Sequence, residues 1–283
     1  MTSPLVAIDR WPVTFAAAAV VAADGSVTRH GATDRVVRLA SVSKIITSWA
    51  ALIAVEEGSI ALDTPVGQPG CTLRHLLSHA GGYEFDGQEP ISRPERRRIY
   101  SNTGIELAAA AVEQATGIAF AEYVDEAVFE PLAMGTAALR GSPAHGVHAS
   151  VDDLVALVNE IARPTLLAIP TVVDALSVQY ADLGGLVPGI GTFRPCPWGL
   201  GGELHGAKHP HWMGATNSAD TFGHFGGSGT MLWYDPDSDV SLIALTDRNF
   251  DEWAAEAVPL WSALSDSVLE QFSLRDSDWP LSP

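Results

Sequence analysis

Residues 13–23 form an almost unbroken apolar run that ends on Asp24-Gly25, after which residues 26–30 continue in a mixed pattern. Asp-Gly readily supplies the backbone angles of a tight turn, so residues 13–30 are expected to fold as a β-hairpin. Residues 42–57 change period. Their apolar side chains recur at helical spacing as far as Gly58, which predicts a helix. A turn is expected at 61–65, and a short helix at 72–79 closed by Ala80-Gly81-Gly82. Residues 84–98 are polar and contain Pro90 and Pro94, which marks a loop. Further helices are expected at 103–116 before Gly117, at 119–130 before Pro131, and from a Ser150 cap to 161 or 162 before Pro164.

Beyond Pro188 the chain turns rich in Gly, Trp and Pro. Residues 229–234 and 240–246 read as strands, with the Asp-Pro-Asp-Ser-Asp segment at 235–239 as their turn. A final helix is expected over 251–272. Its stripe of Trp261, Leu264, Val268 and Phe272 suits packing on a sheet rather than anchoring in a membrane. Pro259 is expected to kink this helix or to sit in its first turn. Strands therefore occupy both ends of the chain and helices fill the middle. The expected class is α+β, an antiparallel sheet built from both chain ends and flanked by helices, plus a mostly helical inserted region. The corresponding division is 1–59 with 176–283 for the sheet region and 60–175 for the helical region.

Composition narrows the partners. The 283 residues are 47% hydrophobic and 18% charged, which supports a buried core and excludes a disordered chain. A net charge of -18 disfavours nucleic acid and anionic membranes as partners. Cys71 and Cys196 fit no metal or redox spacing and are expected to be reduced, partly buried thiols. Asp9, Arg10 and Pro12 precede the first apolar run, which is too short to span a bilayer and lacks the flanks of a secretion signal. A cytoplasmic location is expected.

Candidate chemistry lies in three places. Ser41-Val42-Ser43-Lys44 opens the first long helix, and a spacing of three puts Ser41 and Lys44 on one face. The first turn of a helix also offers free N–H groups and a positive dipole end. Lys44 and Lys208 are the only lysines, and Lys44 is followed by Ile45 and Ile46, an apolar setting for an ammonium. Tyr100-Ser101-Asn102 offers a phenol that can carry a proton if a neighbouring charge such as Lys44 lowers its pKa, and an amide that can donate and accept. Residues 223–229, Gly-His-Phe-Gly-Gly-Ser-Gly, precede a strand and let backbone approach a ligand closely. Taken singly, each has an ordinary reading: a capped helix with a surface lysine, an Asn102 helix cap, and a bulge or turn entering a strand.

Together, Ser-x-x-Lys, Tyr-x-Asn and His-x-Gly in this order resemble the penicillin-recognising serine hydrolases. The resemblance is to the branch holding class C β-lactamases, DD-carboxypeptidases, D-aminopeptidases and esterases. It extends through residues 72–82, 129–135 and 198–201, so that it covers roughly 38–248. It implies a β-lactamase/transpeptidase-like fold and hydrolysis of a small ester, amide or peptide through an acyl-enzyme, with no cofactor or metal. Ser41 would be the nucleophile, and Lys44 with Tyr100 would shuttle its proton. The N–H groups of Ser41 and Gly227 would form an oxyanion hole. Asn102 would orient the substrate amide, and His224 and Gly226 would line the strand edge.

One departure matters. Class C β-lactamases usually carry Lys-Thr-Gly where this chain has His224-Phe225-Gly226. A neutral histidine holds a substrate carboxylate less firmly than an ammonium. An ester, amide or D-peptide substrate is therefore expected ahead of a β-lactam. D-amino-acid peptidase or carboxypeptidase activity, weak β-lactamase activity, acyl transfer to an alcohol or amine, and ligand binding without turnover are the alternatives.

Other groups of residues have simpler readings. His75 and His79 have zinc-compatible spacing, but Leu76 stands where the zinc-protease motif needs an acidic residue, and both are expected to pack. His205, His209 and His211 are expected in a mobile loop near the pocket mouth. Arg93, Arg96, Arg97 and Arg98 are expected on a solvated face, where they can also attract an anionic substrate.

Overall fold

The computed structural model describes residues 3–273. Eleven strands form among them: β1 (Ala16–Val21), β2 (Val27–His30), β3 (Val37–Arg38), β4 (Ala138–Leu139), β5 (Val147–Ala149), β6 (Gly185–Val187), β7 (Gly191–Phe193), β8 (Glu203–Leu204), β9 (Phe222–Gly226), β10 (Thr230–Asp235) and β11 (Val240–Thr246). Six build one antiparallel sheet in the order β2-β1-β11-β10-β9-β8. The first hairpin thus pairs directly with the last strand, and the expected α+β sheet made from both chain ends is present. The seven α-helices are α1 (Ser43–Glu56), α2 (Leu73–Leu77), α3 (Asn102–Thr116), α4 (Phe120–Val124), α5 (Val151–Ala162), α6 (Ile169–Ala175) and α7 (Ala254–Phe272).

β1 and β11 read as continuous apolar runs because both faces of the sheet are covered. Ala17, Ala19, Ile243 and Leu245 point into one core with Trp49 of α1 and Leu154 and Leu157 of α5. Ala18, Val20, Leu242 and Ala244 point into the other, with Trp233, Trp253 and Trp261. α7 closes this second core through Trp261, Leu264 and Val268, as its stripe predicts, with Phe272 packed alongside. Ser265 Oγ, also on α7, accepts from Trp233 Nε1 at 3.0 Å and fastens the helix to β10. Pro259 lies inside α7.

α1 carries Lys44, and its residues 43–54 are all buried between the sheet and the helices α3 and α4. Such a helix has no solvated face on which to place a charge. Lys44 is therefore fully buried.

Several local expectations change in detail. The cap of α3 is Ser101, whose Oγ accepts from Gly104 N at 2.9 Å, and Asn102 is the first helical residue. The helix after residue 119 changes hydrogen bonding midway, from α4 to a π turn over Asp125–Phe129. Residues 222–226 are themselves a strand rather than only the turn entering one. Gly223 hides this from the sequence: a methyl there would overlap the Leu232 carbonyl oxygen, so glycine is needed for close packing between neighbouring strands. Pro4–Arg10, unmarked in the sequence reading, forms a 3-10 helix that buries Leu5 and Ile8. Among the described residues no helix is long and apolar enough to cross a membrane.

Candidate active site

Ser41 sits in a 3-10 turn, Ala40–Val42, that runs straight into α1. Ala40 has φ 47°, a left-handed angle that costs a non-glycine residue energy and persists only where the surroundings impose it. The surroundings are specific. Leu39 N donates to Val147 O at 2.8 Å, Thr230 Oγ1 donates to Leu39 O at 2.7 Å, and Ser228 Oγ donates to Arg38 O at 2.6 Å. The turn is thereby strapped to β5, to β10 and to the β9–β10 turn. Gly226 lets β9 lie against it, because a methyl at that position would overlap Leu39 O and Thr230 Oγ1. At Gly227 a methyl would meet nothing within 4 Å. Gly226→Ala is accordingly expected to lose about 2 kcal/mol of stability, as overpacking does. Gly227→Ala should stay within about 0.5 kcal/mol of the parent protein. Urea denaturation of both variants checks the contrast.

Lys44 Nζ lies 3.2 Å from Ser41 Oγ, 2.7 Å from Asn102 Oδ1 and 3.0 Å from Ala144 O. Burial lowers its pKa to about 7, against the weaker pull of Asp86 and Glu106. An amine so placed is neutral in about half the molecules near neutrality and can accept the serine proton. Asn102 is held at both ends, since its Nδ2 donates to Asp86 Oδ1 at 3.0 Å. The amide thus holds Lys44 through its oxygen and Asp86 through its nitrogen.

Tyr100 is buried, and Lys44 Nζ lies 4.7 Å from the centre of its ring. The expectation that Lys44 lowers the phenol pKa is corrected: burial raises it, and this outweighs the lowering effect of a hydrogen bond with Ser41. Burial thus favours the neutral phenol, which can donate a proton. Its hydroxyl is 3.4 Å from Nε2 of His224. The other imidazole nitrogen, Nδ1, lies 2.6 Å from Phe225 O, which can only accept, so Nδ1 carries the proton and Nε2 is an acceptor. Burial, reinforced by the Lys44 charge, lowers the His224 pKa to about 3 and keeps the ring neutral.

Sequence reading missed the support behind these groups. His79 has φ 57°, accepts from Ser101 N through Nδ1 at 3.2 Å, and packs its ring 4.7 Å from Tyr100 and 5.0 Å from Trp198. His75 Nδ1 accepts from Thr72 N and caps α2. The histidine pair at 75 and 79 thus divides into a helix cap and a prop for Tyr100.

Two other expectations are corrected. Arg98 is not on a solvated face, whereas Arg93, Arg96 and Arg97 are exposed. It is buried, and its guanidinium donates to carbonyls of Cys196, Ser78 and Gln179. His205 and His211 are buried, not in an open loop, although His209 is exposed. His211 Nε2 lies 2.9 Å from Glu203 Oε1, which also holds Lys208 Nζ at 3.1 Å. Cys71 and Cys196 are fully buried, with thiol pKa values pushed up to about 11 by burial.

Ser41, Tyr100, His224 and Gly227 border one cavity of about 430 Å³, walled by Phe85, Trp198 and Phe250. A small carbonyl compound with apolar substituents fits such a space. Lys44, Asn102 and Gly226 are not in its wall; they act from behind the surface.

Comparison with known proteins identifies the family. The family model described as Beta-lactamase matches residues 5–264. A solved beta-lactamase from Mycobacterium bovis is 44% identical and superimposes with a TM-score of 0.93, covering 96% of this chain and 100% of that one. Esterase EstB of Burkholderia gladioli is 24% identical over 87% of this chain and 85% of that protein. Penicillin-binding protein 4* of Bacillus subtilis is 27% identical, but over 36% of this chain and only 30% of that protein. The chain belongs to the beta-lactamase family.

Proposed function

We propose that the protein is a serine hydrolase that cleaves small esters through an acyl-enzyme on Ser41. The observation that carries this reading is the pair of Ser41, facing the cavity, and Lys44, buried 3.2 Å behind it with its pKa lowered to about 7. Neutral Lys44 takes the Ser41 proton as Oγ attacks the carbonyl carbon. Amides of Ser41 and Gly227 receive the developing oxyanion. Tyr100, held neutral by burial, gives its proton to the departing oxygen and recovers one from the Lys44 ammonium. Water then attacks the acyl group with the same bases, releasing acid and free serine.

Esters are favoured over β-lactams and D-peptides by the state of His224. Those substrates present a carboxylate, and a neutral ring whose Nε2 is an acceptor offers it no proton. The relatives named beta-lactamase, penicillin-binding protein and esterase leave all three chemistries in view. The test is intact-protein mass spectrometry of wild type and Ser41→Ala after exposure to a p-nitrophenyl ester, a penicillin and a fluorophosphonate. A Ser41-dependent adduct with ester turnover supports the reading; equal labelling of the alanine variant, or none of either, defeats it.

The pH dependence follows from Lys44. Only the neutral amine can take the proton, so kcat/KM should climb about tenfold per pH unit below 7 and flatten above it. A rising limb centred near 5 or near 10 would point to a different base.

A further inference from the structure

Past Phe85 and Tyr100 the nucleophile's cavity meets a second one of about 660 Å³, and both share Phe85, Tyr100 and Pro188 as wall. Its sides are the segment 84–100 and the β6–β7 hairpin. The two are joined at Arg98, whose N donates to Gly184 O at 2.8 Å and which pairs with Gly185 in a parallel bridge. A methyl at Gly185 would overlap Arg98, so the junction is close-packed. The Arg98 guanidinium is committed to four carbonyls and takes no part in binding.

Two features of this cavity's lining bear on what it could hold. Phe85, Ile91 and Leu186 are 49%, 51% and 54% exposed, and all three face this one space. Large apolar side chains gathered around a solvent-open cavity mark a binding surface. Arg97, from the segment 84–100, and Arg194, just after β7, both line it. Ion pairs of arginine among the described residues use Arg29, Arg35, Arg74, Arg163 and Arg248; neither Arg97 nor Arg194 takes part. Other described arginines also lack an ion pair; what sets Arg97 and Arg194 apart is that both are exposed and line the same cavity. Glu84 is the acidic residue in the same lining, which against Arg97, Arg98 and Arg194 leaves the wall two positive charges in excess.

The cavity includes Tyr100, the donor to the leaving oxygen, but neither Ser41 nor Gly227. It therefore lies on the leaving-group side. We propose that it binds the alcohol portion of an ester whose far end carries a carboxylate. Phe85, Ile91 and Leu186 cover the apolar middle of that alcohol, and Arg97 and Arg194 meet the charge. This inference rests on the ester-hydrolase reading for its direction, though not for the existence of the subsite.

The test compares 3-(4-acetoxyphenyl)propanoate with its methyl ester, which differ only at the end remote from the scissile bond. Wild type should show kcat/KM about fivefold to tenfold higher for the anion, as two exposed charge pairs allow. The preference should shrink with added salt. In Arg97→Ala/Arg194→Ala the ratio of the two esters should fall to about one. Arg93→Ala/Arg96→Ala, which removes the same charge from outside this lining, should keep it. A ratio of one in wild type, or equal loss in both double variants, overturns the proposal. If neither ester turns over, the hydrolase reading fails while the subsite is still decided by calorimetry. The free acid 3-(4-hydroxyphenyl)propanoate should then bind wild type more tightly than its methyl ester does, and only with Arg97 and Arg194 present; equal binding overturns the subsite.

Discussion

Lys44→Met is expected to lower kcat/KM for p-nitrophenyl esters by about 10³-fold while leaving the protein folded. Methionine has a similar length and no proton-accepting nitrogen, so the variant removes the base and keeps most of the packing. Asn102 Oδ1 and Ala144 O each lose a donor, which costs some stability. Against that, the wild type carries a fully buried amine whose charged form is disfavoured. The sign of the resulting pH effect is definite. Between about 7 and the unfolded value of 10.5 the unfolded chain holds the lysine proton and the folded one does not, so wild-type stability rises with pH across that window. Below 7 both states are protonated, and folding bears the whole cost of the buried charge. The stability of Lys44→Met relative to wild type should therefore be greatest below pH 7, and should fall by about 1.4 kcal/mol per unit as pH climbs through the window. Urea denaturation at pH 6, 8 and 9.5 reads this directly. A relative stability independent of pH would mean that Lys44 titrates normally, and the proposed base would lose its physical basis.

That experiment bears on a residue the sequence points to, whereas much of its surroundings was hidden there. The spacing of Ser41 and Lys44 and the apolar Ile45-Ile46 beside them are local features, and the helix that follows makes them neighbours. The apolar runs of β1 and β11 mark them as strands, and their pairing follows from their places at the two chain ends. Burial is not local. Arg98 follows two exposed arginines and cannot be told from them until residues 78, 179 and 196 close around it. The direction of the Tyr100 shift needs the same information, because desolvation there exceeds any effect of the lysine charge. What Asn102 holds is hidden too, until Asp86, sixteen residues earlier, is placed against its amide nitrogen. Glycine misleads in a different way. In β9 it serves close strand packing, yet in a sequence it looks like a break.

Glu203→Ala is expected to be the most destabilising of the substitutions considered, at about 3 to 5 kcal/mol, because it strands a charge inside the protein. Glu203 and Lys208 side chains are each only 1% exposed, and the carboxylate also meets His211 Nε2 at 2.9 Å and Trp212 Nε1 at 2.8 Å. Burial alone would raise the Glu203 pKa. The Lys208 and His211 charges, with the hydrogen bonds from His211 and Trp212, outweigh it and hold the pKa well below the usual carboxylate range. A depressed carboxylate contributes stability above its unfolded pKa of 4.5, and that contribution is lost as pH falls through and below that value. The gap between wild type and Glu203→Ala should therefore be full at pH 7 and should narrow steadily below about 4.5. Glu203→Leu/Lys208→Met removes both charges together and should recover most of the loss, since a buried ion pair is often replaceable by apolar side chains. If Glu203→Ala lies within about 1 kcal/mol of wild type in urea, the cluster is solvated and the argument fails. The position of Glu203 makes the consequence functional as well as structural. It pairs with Gly223 in the β8–β9 ladder, one residue before His224, and bridges to Trp198, which walls the cavity. Loosening it should raise KM for p-nitrophenyl esters more than it lowers kcat, because His224 and Trp198 shape the space around the ester while Ser41 and Lys44 are held by their own turn, strapped at Leu39, and by α1.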